Sequence, residues 1–288
     1  FYDYNKSISG IKKALITQNN LNLNSFSEIK YNIFPTPRIK LKQINLSSDG
    51  DLIQVNKGEL NIILNFSNIL NYKKIKYNKL LIDGSFFSFE VDDLLNISSF
   101  IRENKRNIII KKSNLILLQD NKFFLEIKDI ASKFKTKHNY GSINLSGFLS
   151  EQKIFIKYII NSTKNDQFIL NIPGVDTMVK VFLKRNNNTY NGSANIEVMN
   201  NYLQLDFDYN NEFKFYNSFL RNKLVSTKIN GKIKFKPTVY FDLVFDFNKF
   251  NFNKIKARFE NIFDKNEINY NNIKKINGKF NFTYKDNF

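Results

Sequence analysis

Few residues in this sequence could carry chemistry. His138, in the segment KTKHNYG, is the single histidine, and there is no cysteine with which it could form a nucleophile pair. Two pairs of aspartates, Asp206 with Asp208 and Asp242 with Asp246, have spacings that put both carboxylates on one side of a strand. Paired carboxylates could perform general acid–base catalysis or bind Ca²⁺.

The surroundings of these residues favour a structural role. A loop histidine beside lysines is typical of a protein surface, and the aspartates alternate with apolar residues as on the solvated face of a strand. No glycine of the EF-hand type accompanies them. The sequence therefore predicts a protein that is not an enzyme, with no catalytic residue, no metal site and no cofactor.

The charge of the chain favours anionic partners. Lys and Arg number 44 against 26 Asp and Glu, which gives a net charge of +18, suited to nucleic acid or acidic lipid headgroups. The lysines are dispersed, however, as on a solubilising surface, and no RNA-binding signature is evident. We therefore expect no nucleic-acid partner. The absence of cysteine excludes disulfides and cysteine-ligated metals.

The ends of the sequence predict a longer protein. The first residue is Phe, and no run approaches the ~18–20 apolar residues that a membrane helix needs. We expect a signal or anchor segment upstream. The opening FYDY is compatible with an aromatic belt beside such an anchor, and equally with ordinary sequence.

The elements that would position any site begin with a helix. Residues 7–18 form an amphipathic pattern, with Ile8, Ile11 and Leu15 on one stripe. Apolar residues then alternate with polar ones, as in strands. In the segment KYNIFPTPRIKLKQINLS the two prolines favour an extended backbone, and the apolar positions shift from odd to even numbers. This shift predicts a β-bulge around Lys42–Gln43.

The rest of the chain is typical of strands with few helices. We expect a helical turn at 67–74, a break at Asp83–Gly84, a helix at 92–105, and three short strands in 106–130 separated by turns at Lys112–Asn114 and Asp120–Asn121. Glycine-led alternating strands follow at 141–147, 192–198, 231–236 and 278–284. The pattern predicts a mainly β protein, a long antiparallel meander with one apolar and one polar face.

An apolar face on so many strands needs a cover. Burying one Leu, Ile or Phe contributes about 1.5–3 kcal/mol, and the two or three short helices are too few for about a dozen strands. Two covers remain open from the pattern alone. One is a second sheet, as in a sandwich or barrel, and the other is a hydrophobic ligand in an open groove.

Residues 10–90 resemble the N-terminal domain of the AsmA family. The order is a helix with a basic flank, GIKKALITQ, a strand after a P-x-P-R step, FPTPRIKLKQINLS, and the strand–turn–strand unit GELNIILNFSNILNYKKIKYNKLLIDG. Asp83–Gly84 stands where that family often has a proline. From about residue 106 to 288 the chain is compatible with the family through its glycine-led strands.

The resemblance implies a fold. It implies an elongated, strongly twisted antiparallel sheet, curled into an open apolar groove, with a short N-terminal helix and one or two short helices. The expected organisation is a helix and linker at 1–24, an AsmA-like groove unit at 25–150 and further β repeats at 151–288. Groove candidates lie on the apolar faces of three strands: Leu60, Ile62, Leu64, Phe66, Leu203, Leu205, Phe207, Phe241, Leu243 and Phe245. Lys12 and Lys13 are candidates for contact with lipid headgroups.

The resemblance also implies a role. AsmA-like proteins are anchored in the bacterial inner membrane, face the periplasm and are implicated in moving phospholipid during outer-membrane biogenesis. We therefore expect phospholipid acyl chains as ligands, an upstream anchor and envelope proteins as possible partners. The alternative is a β-sandwich or barrel module that binds protein partners, as a scaffold or adhesin does.

Overall fold

The computed structural model describes residues 4–65, 75–97, 100–101, 104–137, 140–161, 165–186, 189–210, 212–234, 239–251, 253–254 and 276–284. The protein is mainly β, with 73% strand. The chain divides into two compact units, residues 1–163 and 164–288. Residues 150–151, where the sequence analysis placed a boundary, form a tight turn between two strands of the first unit.

Within its described residues, the N-terminal unit has one long helix and twelve strands. Helix α1 spans Tyr4–Asn19. The strands are β1 (Leu21–Ser25), β2 (Glu28–Asn32), β3 (Arg38–Lys42), β4 (Asn45–Ser48), β5 (Gln54–Asn56), β6 (Glu59–Leu64), β7 (Tyr77–Asp83), β8 (Phe86–Glu90), β9 (Asn107–Gln119), β10 (Lys122–Lys137), β11 (Tyr140–Leu149) and β12 (Gln152–Asn161). Short 3-10 turns occupy Asp49–Asp51 and Val91–Asn96.

Strand β9 joins two narrower sheets of this unit. Its first half pairs with β7, and from there the sheet continues by successive pairing with β6, β3 and β2. Its second half pairs with β8, and from there the sheet continues by successive pairing with β5, β4 and β1. On its other side β9 pairs with β10, followed by β11 and β12. The two pairings of β9 with β7 and β8 are parallel, so the expected all-antiparallel sheet is wrong at this point.

A row of irregular residues crosses the sheet where the two halves meet. Left-handed backbone occurs at Gln43 (φ 48°), Lys57 (φ 63°), Gly84 (φ 64°), Lys112 (φ 44°) and Asp129 (φ 48°). The bulge predicted near Lys42–Gln43 is therefore present, and every neighbouring strand has a matching break. Such aligned bulges bend and twist a sheet.

Hydrogen bonds fix this line of breaks, which we call the crease. The Ser85 amide donates to Ser113 Oγ at 3.1 Å, and Ser85 Oγ donates to the Lys57 carbonyl at 3.0 Å. Both serines are 1% exposed. Gly58 (φ 72°) lies so close that an added Cβ would be 2.3 Å from Ser85 Oγ. Only glycine fits this backbone without displacing its neighbours.

Helix α1 packs on the N-terminal sheet. Ile11 and Leu15 of the predicted stripe are 1% and 0% exposed. The helix ends because Asn20 adopts the left-handed conformation (φ 51°) and its amide donates to the Ile16 carbonyl at 2.9 Å, a common helix stop. Buried neighbours from the strands complete the core: Leu21, Leu23, Ile39, Leu41, Ile44, Leu46, Leu60, Ile62, Leu80, Ile82, Ile108 and Ile110.

A buried polar cluster ties the end of α1 to the sheet. Tyr77, which is 0% exposed, donates its hydroxyl to Asn19 Oδ1 at 2.6 Å. The Asn19 amide donates to Asn104 Oδ1 at 2.8 Å and to the Arg106 carbonyl at 2.9 Å. Burial raises the pKa of the Tyr77 phenol well above its ordinary value. The phenol therefore stays protonated and acts as a hydrogen-bond donor.

The described part of the C-terminal unit is a run of eight strands. These are β13 (Asp166–Ile172), β14 (Thr177–Asn186), β15 (Thr189–Val198), β16 (Asn201–Tyr209), β17 (Glu212–Arg221), β18 (Val225–Lys234), β19 (Val239–Phe250) and β20 (Ile276–Tyr284). Strands β13 to β19 pair in chain order as an antiparallel meander. Strand β20 joins β19 in parallel. Among the described residues, no pairing closes this sheet on itself.

The structure differs from the predictions for the strands of 106–130 and for the helical segment at 92–105. The segment 106–130 holds parts of two long strands, β9 and β10, where three short ones were expected, because the predicted turn at Lys112–Asn114 is a bulge inside β9. The turn at Asp120–Asn121 is confirmed, with φ 51° and 60°. In the predicted helix at 92–105, the residues up to Asn96 belong to a 3-10 turn, and the described residues 97, 100 and 101 are α-helical. The predicted helical turn at 67–74 lies outside the described residues.

Candidate functional site

The strand register of the C-terminal unit separates its side chains into two faces. Val181 lies opposite Ala194, which lies opposite Leu205. Their sequence neighbours Phe182, Ser193 and Asp206 form a second row on the other face. Because directly paired residues point to the same side of a sheet, these registers assign every strand residue to a face. In this unit one face carries mostly apolar residues, and the other carries most of the charged and amide side chains.

One of these surfaces, the apolar face, is almost continuously hydrophobic. It carries Phe168, Leu170, Val179, Val181, Leu183, Ala194, Ile196, Leu203, Leu205, Phe207, Tyr209, Phe213, Phe215, Leu220, Ile229, Ile233, Phe241, Leu243, Phe245, Phe247, Phe280 and Phe282. The pairing register shifts between β16 and β17 and between β17 and β18, because Asn217 (φ 50°) forms a bulge in β17. On both sides of this bulge, apolar residues still pair with apolar residues. Without the bulge, the residues of β17 after Asn217 would change face, and Leu220 would lie on the polar side.

Most of the aromatic side chains on this face come from β16, β17, β19 and β20, and β18 contributes Ile229 and Ile233. The Tyr209 and Phe213 ring centroids are 4.5 Å apart, and those of Phe241 and Phe280 are also 4.5 Å apart. Phe245 contacts the rings of both Phe280 and Phe282, at 6.1 and 5.6 Å. The rings therefore form two clusters, one on β16 and β17 and one on β19 and β20, with the aliphatic side chains of β18 between them.

Most of the apolar face is partly exposed. Leu203, Leu205, Phe241, Leu243 and Phe245 all have intermediate exposure. At β20 the exposed fractions rise to 49% for Phe280 and 65% for Phe282. The strands described in this unit all belong to one sheet, so none of them supplies a second layer over this face.

The predicted groove residues fall into two groups. Leu203, Leu205, Phe207, Phe241, Leu243 and Phe245 lie together on the apolar face. Phe207 is the most buried of them, at 5% exposure, because its ring lies over Gly192, where an added Cβ would be 2.7 Å from the ring.

The other predicted groove residues lie in the N-terminal unit. Leu60, Ile62 and Leu64 are 0%, 1% and 4% exposed. Protein atoms already cover these three side chains, so they belong to the core of that unit. Phe66 lies outside the described residues.

The remaining candidates are surface groups. Lys12 and Lys13 are exposed on α1, and His138 lies outside the described residues. Asp208 accepts hydrogen bonds from Asn191 and from the Tyr216 hydroxyl, the latter at 3.2 Å.

The aspartates of the predicted pairs lie on the polar face. Asp246 bonds to Thr283 of the adjacent strand. No group of three or more potential metal ligands occurs in the part of the chain that the structure describes.

A cavity on the polar face and two residues of the apolar face, Phe280 and Phe282, are absent from the sites that the sequence predicted. A cavity of about 410 Å³ opens on the polar face beside the Asn217 bulge, lined by Phe219, Arg221, Lys228 and Asp246 among others. Bulges in neighbouring strands create it, and no sequence pattern marks it. The missed site residues, Phe280 and Phe282, had the period-two signal of GKFNFTY, but their adjacency to β19 depends on a parallel crossover.

Comparison with known proteins yields no relative. No family model, no curated protein and no solved structure matches the chain. Among the described residues, no helix combines the length and apolar character needed to cross a membrane. The geometry of the apolar face is therefore the observation that bears on function.

Proposed function

We propose that this protein binds phospholipid without catalysing a reaction, and that acyl chains lie along the apolar face of the C-terminal unit. The observation that carries the proposal is this continuous, partly exposed hydrophobic surface on eight strands in register. Exposed apolar patches of such extent are rare on soluble monomers and mark binding surfaces.

The dimensions and chemistry of the face suit acyl chains. Eight strands about 4.8 Å apart cover roughly 34 Å measured along the sheet. One acyl chain fills about half of the ~30 Å bilayer core, so the face is long enough for a chain. Each buried methylene contributes about 0.8 kcal/mol. The flat rings of β16, β17, β19 and β20 offer contact to a ligand without a fixed shape, which suits lipid better than a compact metabolite.

The cellular setting is part of the same proposal. The sequence resemblance of residues 10–90 to the AsmA family supports a protein held at the bacterial inner membrane by an upstream anchor, facing the periplasm. There it would carry phospholipid in outer-membrane biogenesis, with the sheet curled into an open groove around the acyl chains and envelope proteins as possible partners.

Copurification tests the proposal. The full chain is purified without detergent and extracted with organic solvent, and phospholipid is quantified by mass spectrometry. Leu205→Glu and Phe245→Glu place a charge on the apolar face. Gln204→Glu and Val244→Glu place the same charge on the opposite face of the same strands.

We expect phospholipid with the unaltered chain and with both polar-face variants, and a severalfold loss with both apolar-face variants. Circular dichroism verifies that all variants retain their strands. Equal lipid content in all four variants, or no lipid in the unaltered chain, refutes the proposal.

A protein-binding module is the second candidate, because β20 carries exposed aromatic rings at one side of the described sheet. Phe280 and Phe282 are 49% and 65% exposed, and β19 is the partner of β20 among the described strands. A strand from another protein could pair with its remaining edge. An apolar face free of lipid, together with a protein partner whose binding is lost in Phe282→Ser, would favour this alternative.

A further inference from the structure

The outer surface of the N-terminal sheet carries a second feature that the lipid-binding face does not explain. On β3, β6, β7 and β9 the core-facing residues are Ile39, Ile62, Leu80 and Ile108. The alternate residues point outward: Arg38, Lys40, Ile63, Lys79, Leu81 and Ile109, joined by Lys133 and Lys135 of β10. We call this set the basic outer face.

The basic outer face mixes cations with apolar side chains. Ile63, Leu81 and Ile109 are partly exposed in its middle. Lys79 and Lys133 are exposed around them, and within the described residues no carboxylate pairs with either one. Lys40 differs, because Glu59 pairs with it at 2.6 Å. Glu59 and Asp83 are directly paired on the same face, beside Leu81. The five cations outnumber these two carboxylates, so the charge around the apolar strip is positive overall.

An exposed apolar loop lies at the end of this face. Asn32 and Arg38 are directly paired, and the loop between them presents Ile33 and Phe34 at 50% and 85% exposure. Pro35 restricts its own φ and the conformation of Phe34. At 85% exposure, the Phe34 side chain projects from the surface and does not pack on the sheet.

We propose that the basic outer face docks on an anionic lipid bilayer and that Ile33 and Phe34 insert into its interface. Stable attachment to a membrane surface takes two signals, an apolar insertion and an attraction to anionic headgroups. This surface supplies both side by side. The apolar strip at Ile63, Leu81 and Ile109 fits the boundary between headgroups and acyl chains. The sugar–phosphate backbone of a nucleic acid offers no such boundary.

Vesicle cosedimentation of the full chain tests the docking surface. The probes are phosphatidylcholine vesicles with and without phosphatidylglycerol. Ile33→Ser with Phe34→Ser removes the apolar insertion, and Lys79→Gln with Lys135→Gln removes two cations. All four side chains are exposed, so we expect these variants to fold.

Two matched controls make the same chemical changes elsewhere. Phe123→Ser with Phe124→Ser removes two exposed phenylalanines, 68% and 54% exposed, from the β9–β10 hairpin. Lys180→Gln with Lys184→Gln removes two exposed lysines from β14.

The expected results follow from known energies. A lysine near an anionic surface contributes about 1 kcal/mol, so the double lysine variant loses about 30-fold in binding to the anionic vesicles. Burying one Phe side chain is favourable enough that loss of the inserted Ile33 and Phe34 side chains weakens binding by at least about tenfold. The two control variants bind as the unaltered chain does, and added salt weakens binding by the unaltered chain.

Three outcomes overturn the proposal. They are equal binding to the two kinds of vesicle, equal losses in the control variants, and binding to duplex DNA without binding to vesicles. Failure here is distinguishable from failure of the lipid-binding function. The Leu205→Glu variant keeps the docking surface, and the Ile33→Ser, Phe34→Ser variant keeps the apolar face.

Discussion

Replacing Gly58 by alanine tests how tightly the crease of the N-terminal sheet is packed. At φ 72° an L-residue pays about 1–2 kcal/mol for the left-handed backbone. In addition, the new Cβ would lie 2.3 Å from Ser85 Oγ and 2.4 Å from the Asp83 carbonyl oxygen. Ser85 cannot rotate away without losing its 3.0 Å hydrogen bond to the Lys57 carbonyl.

The chain offers a matched control for this substitution. Gly84, in the same crease, has φ 64°, and a Cβ added there meets no atom within 4 Å. Gly84→Ala therefore incurs the backbone cost alone, about 1–2 kcal/mol. Gly58→Ala adds the cost of an overpacked site, about 1–3 kcal/mol. We expect a free energy of unfolding reduced by about 2–5 kcal/mol for Gly58→Ala.

Urea unfolding of the full chain, followed by circular dichroism, measures both changes. Hydrogen–deuterium exchange of peptides from β6 and β7 assigns the loss to the N-terminal unit. In the Gly58→Ala background, Ser85→Ala should restore only part of the stability, because the Asp83 carbonyl still clashes. Equal destabilisation by Gly58→Ala and Gly84→Ala would contradict the close approach of the strands at the crease.

Three further predictions concern burial and charge. Tyr77→Phe leaves the buried Asn19 oxygen without its 2.6 Å donor and should lower the free energy of unfolding by about 1–3 kcal/mol in urea titrations. Leu60→Ala should cost about 2–5 kcal/mol, as in a closed core, and the partly exposed Leu205→Ala should cost clearly less in the same assay. Hydrogen bonds from Lys30 and then Lys42 lower the pKa of the Glu28 carboxyl from 4.5 to about 2. The folded state therefore gains stability above the unfolded pKa and loses it as pH falls from about 4.5 to about 2, and an NMR titration midpoint near 4.5 for Glu28 would contradict this pairing.

The alternation of apolar and polar residues predicted the strands of the C-terminal unit. Leu203, Leu205 and Phe207 share one face, and Gln204 and Asp206 share the other, as the period of two requires. The bulge near Gln43 was also visible, because the apolar positions change parity there. Such signals are local and do not depend on which strands pair.

The sequence could not distinguish a covered apolar face from an exposed one. Leu60 and Leu205 stand in the same alternating pattern. Leu60 is completely buried in a unit with helix α1 and a creased sheet, and Leu205 remains partly exposed in a unit with a plain meander. Burial is decided by what packs on a face, and that partner is distant in sequence.

The sequence by itself determined the β-rich class of the fold, most of the strands outside 106–130, and the helix stripe of Ile11 and Leu15. Only the tertiary structure decided that β7 and β8 pair in parallel with one long β9, that β20 lies beside β19, and that the breaks align as a crease. The physical reason is the distance along the chain over which each kind of interaction acts. Side-chain period and backbone preference act between neighbours in the chain. The choice of a pairing partner depends on the combined burial and hydrogen bonding of segments that lie tens of residues apart.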